Sequence, residues 1–437
     1  MGWFKDYFYN TKEMTEKDYK QAEVGFIVDN AMSIGAYSLM GGSYFAALLA
    51  FVGASEALSN FILSFALLGG FFQILVPAIT KKMQFKKPFI MFCKFFDRMP
   101  MALMFFVPLF FGKGSLAVGA VSVLAMIGFT FTYFMSPVHT AWFMDCLDGR
   151  SGLGKFCGIR DAVMNACMIV TYFVAAKITG TFTGDKEIYS YIWLGGIAFV
   201  MWAVMMGFMV MVKEPYKPRN ESKQPEQGGL IDGFKTIFTN KQIRPFLKYN
   251  IFYNLGLYLM SSLVSIMCVQ RMNISLEILS YLTMGDYAVR TTLSPLFGKM
   301  ADKVGARKCL ACAIFLTAVA YGIHAFMTHD NAIVLKIISV AINSVAGAML
   351  NTCVFMFKMQ SVPEEKRGSC IACLDSFSML LGTAASWITT WFISVANGFS
   401  VNAFRIEFSE MNLVFIIGSI ILIISSIPVI MSKKQEK

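Results

Sequence analysis

Runs of about twenty or more largely apolar residues recur twelve times along this chain, and nothing else in it restricts the fold as much. They cover residues 24–51, 56–80, 88–111, 115–144, 156–181, 188–212, 245–270, 275–299, 306–328, 331–358, 368–396 and 409–432. Twenty residues of helix are enough to cross the hydrocarbon core of a bilayer. Hydrophobic residues make up 56% of the chain and charged ones 15%, with a mean hydropathy of +0.59. A water-soluble protein cannot hide that much apolar surface, so the expected solvent is lipid. The 42 Phe and 31 Met suit lipid-facing and adaptable interior surfaces. The fold class expected is an all-α membrane protein of twelve transmembrane helices. The narrowest separation lies between the first two runs, where only Gly53-Ala-Ser-Glu56 breaks the pattern.

The net charge of +11 is distributed unevenly among the connecting loops. One side holds the N-terminus, Lys81/Lys82/Lys86/Lys87, Arg150/Lys155, the 213–244 segment, Lys303/Arg307/Lys308, Lys366/Arg367 and Lys433/Lys434/Lys437. The other side holds only Lys113, Lys186, Arg271, Lys336 and Arg405. The basic side is expected in the cytoplasm, with both termini there, which an even number of spans satisfies. The basic residues therefore read as topology signals at a cell membrane, and no nucleic-acid partner is expected. No signal peptide is expected either, because the first apolar run, beginning near Val24, is followed by many more.

The longest polar break, 213–244, has linker composition, and Leu230–Phe238 within it carries an apolar face at helical spacing. It divides the chain into an N-terminal bundle of six helices over 1–212, a cytoplasmic linker with an interfacial helix over 213–244, and a C-terminal bundle of six over 245–437. The halves are weakly repeated. Gly154-Lys-Phe-Cys-Gly-Ile-Arg-Asp161 aligns with Gly368-Ser-Cys-Ile-Ala-Cys-Leu-Asp375, and Pro77-Ala-Ile-Thr-Lys81 with Pro295-Leu-Phe-Gly-Lys299.

The sharpest motif is Gly298-Lys-Met-Ala-Asp302-Lys303-Val-Gly305-Ala-Arg307-Lys308. It resembles the signature G-x-x-x-D-[RK]-x-G-x-[RK]-[RK] of the major facilitator superfamily, with every defined position met and in the expected place between the eighth and ninth spans. The resemblance implies two pseudo-symmetric six-helix bundles and transport by alternating access. It also implies that Gly298, Asp302, Gly305, Arg307 and Lys308 control conformation and do not bind substrate. Gly298 is expected to let two helices approach and Gly305 to permit a tight turn. The equivalent segment of the first half, Thr80-Lys-Lys-Met-Gln-Phe-Lys-Lys87, lacks the glycine and puts Gln84 at the aspartate position, so the two halves are not expected to latch alike. The patterns of many proton-coupled members, of drug antiporters and of the melibiose-type symporters are missing. So are Walker, Rossmann, HExxH and nucleophile-elbow motifs, and no enzyme activity, catalytic residue, metal or cofactor is expected. The pairs Cys309/Cys312 and Cys370/Cys373 read as small hydrophobes inside helices.

Ionisable residues within spans are costly and mark the candidate substrate or coupling residues. Asp286 and Arg290 lie mid-span and four apart, on one helix face. They read equally as a cavity-lining pair and as a structural salt bridge. Asp29, in the first span, has no basic residue three or four positions away and is a candidate proton carrier, its alternative being a partner such as Lys94. Lys94, Asp97 and Arg98 cluster before Pro100 in the third span. Asp375 is a weaker candidate, and Asp161 reads as an acid in the first turn of its helix. His139 and His324 read as simply hydrogen-bonded. Asn250 and Asn254 share one face of the seventh span with tyrosines nearby, and suit either a polar organic ligand or interhelical bonding.

The function expected is secondary active transport of a small polar or amphipathic organic solute, coupled to a cation, with the proton expected, by a monomer in a lipid bilayer. The alternatives are a non-transporting sensor or assembly factor on a carrier fold, and a drug or metabolite exporter.

Overall fold

The computed structural model describes residues 7–10, 13–76, 83, 85–147, 153–215, 230–362, 367–396, 398–403 and 406–431. Over these residues every expected span is helical. The first contains α1 (Glu16–Leu39) and α2 (Gly42–Val52), the second α3 (Glu56–Leu63) and α4 (Phe65–Phe72), and the third α5 (Lys87–Leu103) and α6 (Val107–Phe111). The fourth to sixth are α7 (Ser115–Leu147), α8 (Leu153–Thr181) and α9 (Glu187–Met211). A helix in the linker, α10 (Leu230–Thr239), precedes α11 (Arg244–Ile266), α12 (Leu276–Val304), α13 (Ala306–Gly322), α14 (Ala332–Ser361), α15 (Arg367–Val395) and α16 (Glu410–Met431). Among the described residues, nine helical segments are long and apolar enough to cross a membrane. The other three runs are the second, which is built of short helices, and the third and eighth, which carry Lys94, Asp97 and Arg98, and Glu277, Asp286 and Arg290.

Local chemistry sets the boundaries. Thr15 opens α1 with a capping box: its amide donates to Asp18 Oδ2 at 2.9 Å, and its hydroxyl accepts from the Asp18 amide at 3.3 Å. Gly53 (φ +95°) ends α2 in the left-handed region, and the Ser55 hydroxyl caps α3 two residues later. The narrow break expected between the first two runs is thus a C-cap followed at once by an N-cap. A second interruption was not expected: Met40 ends α1, and Gly42, at φ +52°, opens α2 within the first run.

The chain divides into two compact units, one of residues 1–54 and 68–226, the other of residues 55–67 and 227–437. In the first unit, Phe26 packs on Trp142 with ring centroids 5.2 Å apart, over a core that includes Ile90, Met205 and Met209. Gly128 lets α7 approach the Asp97 carbonyl of α5, where an added Cβ would stand 2.8 Å from the oxygen. In the second unit, Phe246, Tyr249, Phe357 and Phe415 centre the core. Gly256 of α11 meets the Gly418 carbonyl of α16 in the same close-packed way. Helix α3 packs in this second unit against α15, where Asn60 Nδ2 donates to the Ser386 carbonyl at 3.0 Å and Trp387 Nε1 to the Ser64 hydroxyl at 3.0 Å. Helix α10, the expected linker helix, also packs on α15, with Phe238 edge-on to Phe377 at 5.5 Å. A short antiparallel hairpin, β1 (Ser400–Ala403) with β2 (Ile406–Ser409), pairs Ser400 with Ser409 before α16. The sequence carries no signal for it beyond a polar break.

Two expectations change here. The motif at Gly298–Lys308 is not an extended loop: α12 continues to Val304, Gly305 turns the chain at φ +103°, and α13 begins at Ala306. The helix runs on through Pro295 to Val304, and Lys303 in the last turn suits the helix C-terminus. Asp161 is not in a first turn. It lies eight residues into α8 (153 to 161), as Asp375 lies eight residues into α15 (367 to 375), so the repeat-related pair is equivalently placed but deeper than expected.

Candidate functional site

The densest cluster of buried charge lies in the first unit, where α1, α5 and α7 meet. Asp29 on α1 is buried and contacts the Lys94 ammonium and the His139 imidazole. Lys94 Nζ of α5 donates to its Oδ1, and His139 Nε2 of α7 lies 3.0 Å from its Oδ2, at ion-pair distance but off the line of a hydrogen bond. Trp202 Nε1 of α9 donates to the Lys94 carbonyl at 3.0 Å, and Met205 Sδ stands 3.9 Å from Lys94 Nζ. Arg98, one turn beyond Lys94, reaches back to α1. Its Nε donates to the Ser33 carbonyl at 3.2 Å, one terminal nitrogen to the Ser33 hydroxyl at 3.2 Å, and the other to the Thr132 hydroxyl at 2.7 Å. Its guanidinium also lies over the Tyr37 ring, 4.9 Å from the centroid. Asp97, between these two cations in sequence, is fully buried. Arg98 Nη1 is 3.8 Å from it, and neither carboxylate oxygen receives an aligned hydrogen bond among the described residues.

These contacts revise the reading of Asp29. It is not a lone carboxylate but an ion-paired one. Lys94 does not use its own helix neighbour Asp97; it crosses to α1. Burying a charge in a bilayer costs about 2.5–3.5 kcal/mol even on insertion scales. Pairing Asp29 with Lys94 across two helices offsets that cost and ties α1 to α5. His139 was read as simply hydrogen-bonded and instead completes the cluster. No local spacing announces it, because its partner lies 110 residues earlier (139 − 29) on another helix.

The second unit holds a smaller arrangement. Arg290 Nε donates to Asp286 Oδ1 at 2.8 Å within α12, and the Ser344 hydroxyl of α14 donates to the same oxygen at 2.6 Å. The Arg290 guanidinium lies against Gly347, where any Cβ would come within 2.5 Å of it. Its side chain is 31% exposed and that of Asp286 17%, in contrast to 1% and 5% for Lys94 and Asp29. The expected i, i+4 pair forms, and Ser344 is the partner that sequence spacing misses. Asn250 bonds across to another helix, and Asn254 bonds within α11 to Asn250. Asn250 Nδ2 donates to the Ser378 hydroxyl of α15 at 2.7 Å, and Asn254 Nδ2 donates to Asn250 Oδ1 at 2.8 Å. Asp375 accepts from Lys358 Nζ at 2.5 Å and is largely exposed. His324 is buried against Phe415 with ring centroids 5.2 Å apart, and Lys336 Nζ lies 3.4 Å from its Nε2.

The sequence profile of the Major Facilitator Superfamily matches residues 134–369 and 269–436. The chain belongs to the major facilitator superfamily. Solved structures agree on the fold. A nucleoside transporter, NupG, superposes with a TM-score of 0.66 at 12% identity, covering 95% of this chain and 100% of that one. A D-xylose–proton symporter gives 0.66 at 13% identity, with 93% and 95% covered. An auto-inhibited POT family peptide transporter gives 0.67 at 11% identity, with 96% and 99% covered. No curated protein sequence matches the chain. The protein is therefore a multi-pass secondary transporter and not an enzyme.

The superfamily motif looks different in space from its sequence rationale. A Cβ at Gly298 would meet nothing within 4 Å among the described residues, so the close helix approach expected there is not present in this structure. Gly305 does supply the positive-φ turn. Arg307 lies over the Phe357 ring at 5.5 Å. The side chain of Asp302 lies outside the described residues, and Lys308 sits in the first turn of α13. Most of the degenerate first-half copy, 77–82 and 84, lies outside the described residues. Beside it, however, a carboxylate occupies a helix N-terminus. Glu214, just past α9, accepts from the Lys86 amide at 3.0 Å and the Lys87 amide at 2.8 Å at the start of α5. Lys87 Nζ in turn donates to the Val210 and Val212 carbonyls at the end of α9, at 2.7 and 2.5 Å. Burial pushes the Glu214 carboxyl up to about 7, although the two amides and the lysines pull the other way. The first-half loop lacks its aspartate, and Glu214, from the far end of the unit, stands at that end of α5.

Proposed function

We propose that this transporter carries a small polar organic solute across the cell membrane by alternating access, driven by coupling to protons, as a monomer with both termini in the cytoplasm. The observation that carries the reading is the charged cluster of Asp29, Lys94, Asp97, Arg98 and His139, drawn from three helices of the first unit. Five ionisable groups inside a membrane bundle support a functional role, since apolar side chains of similar size would fill such a space at no desolvation cost. Asp286, Arg290 and Ser344 in the second unit offer a compact donor–acceptor set to a hydroxylated or amide-bearing solute. Asn250, bonded by Asn254, lends interhelical support, and Gly298, Asp302, Gly305, Arg307 and Lys308 serve the conformational change. A nucleoside transporter and a D-xylose–proton symporter share this fold, which supports this class of solute. A sensor or assembly factor on the same fold would keep the cluster but move nothing.

A thermal-shift screen of purified protein against sugars, nucleosides, amino acids, peptides and carboxylates identifies the solute. Uptake of that solute into proteoliposomes is then measured with and without a protonophore. Accumulation above the external concentration that collapses with the protonophore is the expected result. No flux of any stabilising solute would leave the sensor reading standing.

A further inference from the structure

Two buried aspartates in the first unit have opposite surroundings. Asp29 has Lys94 on one oxygen and His139 facing the other. Asp97 lies ten residues into α5, about 15 Å from its start. It is fully buried and has no aligned hydrogen bond on either oxygen among the described residues. The ionisable groups around it are Cys93, Lys94 and Arg98 on its own helix, Asp29 and Tyr37 on α1, and His139 on α7 beyond Asp29. The facing residues of α9, Trp202 and Met205, bring no charge. Lys94 Nζ is bound to Asp29, and Arg98 spends its donors on Ser33 and Thr132. An ionised carboxylate in that position would have no aligned side-chain donor to replace water, only the Arg98 amide and a guanidinium 3.8 Å away, and another carboxylate close by; a neutral acid has neither problem.

We propose that Asp97 is the proton-carrying carboxyl of this transporter, uncharged in the conformation seen here, with Asp29 as the fixed anion that holds Lys94. The assignment rests on the proton-coupled reading above and sharpens it. It reverses the role that the sequence suggests for Asp29. The step is a simple proton transfer: the Asp97 O–H bond breaks, its electron pair stays on the carboxylate, and the proton leaves to water when the site opens. The new anion then needs a donor. The Arg98 guanidinium, 3.8 Å away, is within reach, and turning toward Asp97 draws it off Ser33 and Thr132. Proton release would therefore loosen the contacts of α5 with α1 and α7, which is how the proton could bias the conformation.

Infrared difference spectroscopy of the purified, full-length protein tests this without any solute. The wild type is expected to show, beside the Glu214 band that Glu214→Gln removes, a second carbonyl band of a protonated carboxyl at neutral pH, shifting on deuterium exchange. Asp97→Asn is expected to lose that band and Asp97→Glu to move it, while Asp29→Asn, which frees Lys94 and removes the neighbouring anion, is expected to weaken it. Absence of the band in the wild type, or its persistence in Asp97→Asn, would overturn the assignment. If Asp97→Asn does not fold, the moved band of Asp97→Glu decides alone, and an unmoved band overturns the assignment. A confirmed band in a protein whose solute uptake ignores the proton gradient would instead count against the transport coupling and leave the protonation state of Asp97 standing.

Discussion

The charged groups of the two units are built on different principles. In the second unit the pair is local: Asp286 and Arg290 are one helical turn apart, partly open to solvent, and supported by one hydroxyl from α14. In the first unit the pairs are between helices, sealed, and outnumber their aligned hydrogen bonds: Asp29 is shared by Lys94 and His139 while Asp97 has none. A local, partly wet pair tolerates loss of a partner because water replaces it. A sealed interhelical set does not, so the first-unit site is tied to helix position and the Asp286–Arg290 pair mainly to one helix face, although elsewhere in the second unit Arg271 bridges Glu56 of α3 and Glu410 of α16.

The largest effect should come from breaking the sealed pair. Asp29→Leu leaves Lys94 buried without its counter-ion and is expected to cost about 3–5 kcal/mol, read as a drop in melting temperature in detergent. Lys94→Met alone should cost a similar amount, and the double variant should recover much of it. A double variant no more stable than either single one would mean that Asp29 and Lys94 are not coupled.

Glu214 provides the next test, through pH. Its folded-state carboxyl titrates near 7 against an ordinary 4.5. The folded state therefore holds the proton longer than the unfolded one, and stability should fall as pH rises from about 4.5 to about 7 and level off above that. The displacement corresponds to at most on the order of 3 kcal/mol. Glu214→Gln should flatten that slope, and an identical pH profile in the variant would remove Glu214 as its source.

Smaller effects are expected in the second unit. Asp286→Asn should cost less than about 1 kcal/mol, because a partly exposed i, i+4 pair contributes little. A loss as large as that of Asp29→Leu would erase the contrast between the units. Arg307→Ala removes the stacking on Phe357 and should cost about 0.5–1 kcal/mol.

How much of this the sequence made legible follows from the same contrast. Helical runs of apolar residues and basic loops are local, one-dimensional signals, and they mark twelve helical segments. The Gly305 turn and the Asp286–Arg290 pair are local too, and both form, whereas the close approach expected at Gly298 does not. Lys94 illustrates the failure. Its spacing points to Asp97 and Arg98 on its own helix, and Asp29 of the first span is only the alternative; packing of α1 on α5 decides for that alternative, and the ammonium ends on α1. His139, Ser33, Thr132 and Glu214 are likewise assigned by packing between segments far apart in the chain, which no periodicity records. The exchange of residues 55–67 into the second unit has no sequence signal beyond the break at Gly53–Ser55.

The account's central claim is that the buried charges of the first unit couple solute movement to protons, and gradient-driven accumulation in proteoliposomes tests it most directly. Wild-type protein should concentrate its solute only when a proton gradient is imposed. Asp97→Asn should still exchange internal for external solute but no longer concentrate it. Undiminished, gradient-dependent accumulation by Asp97→Asn would contradict the account.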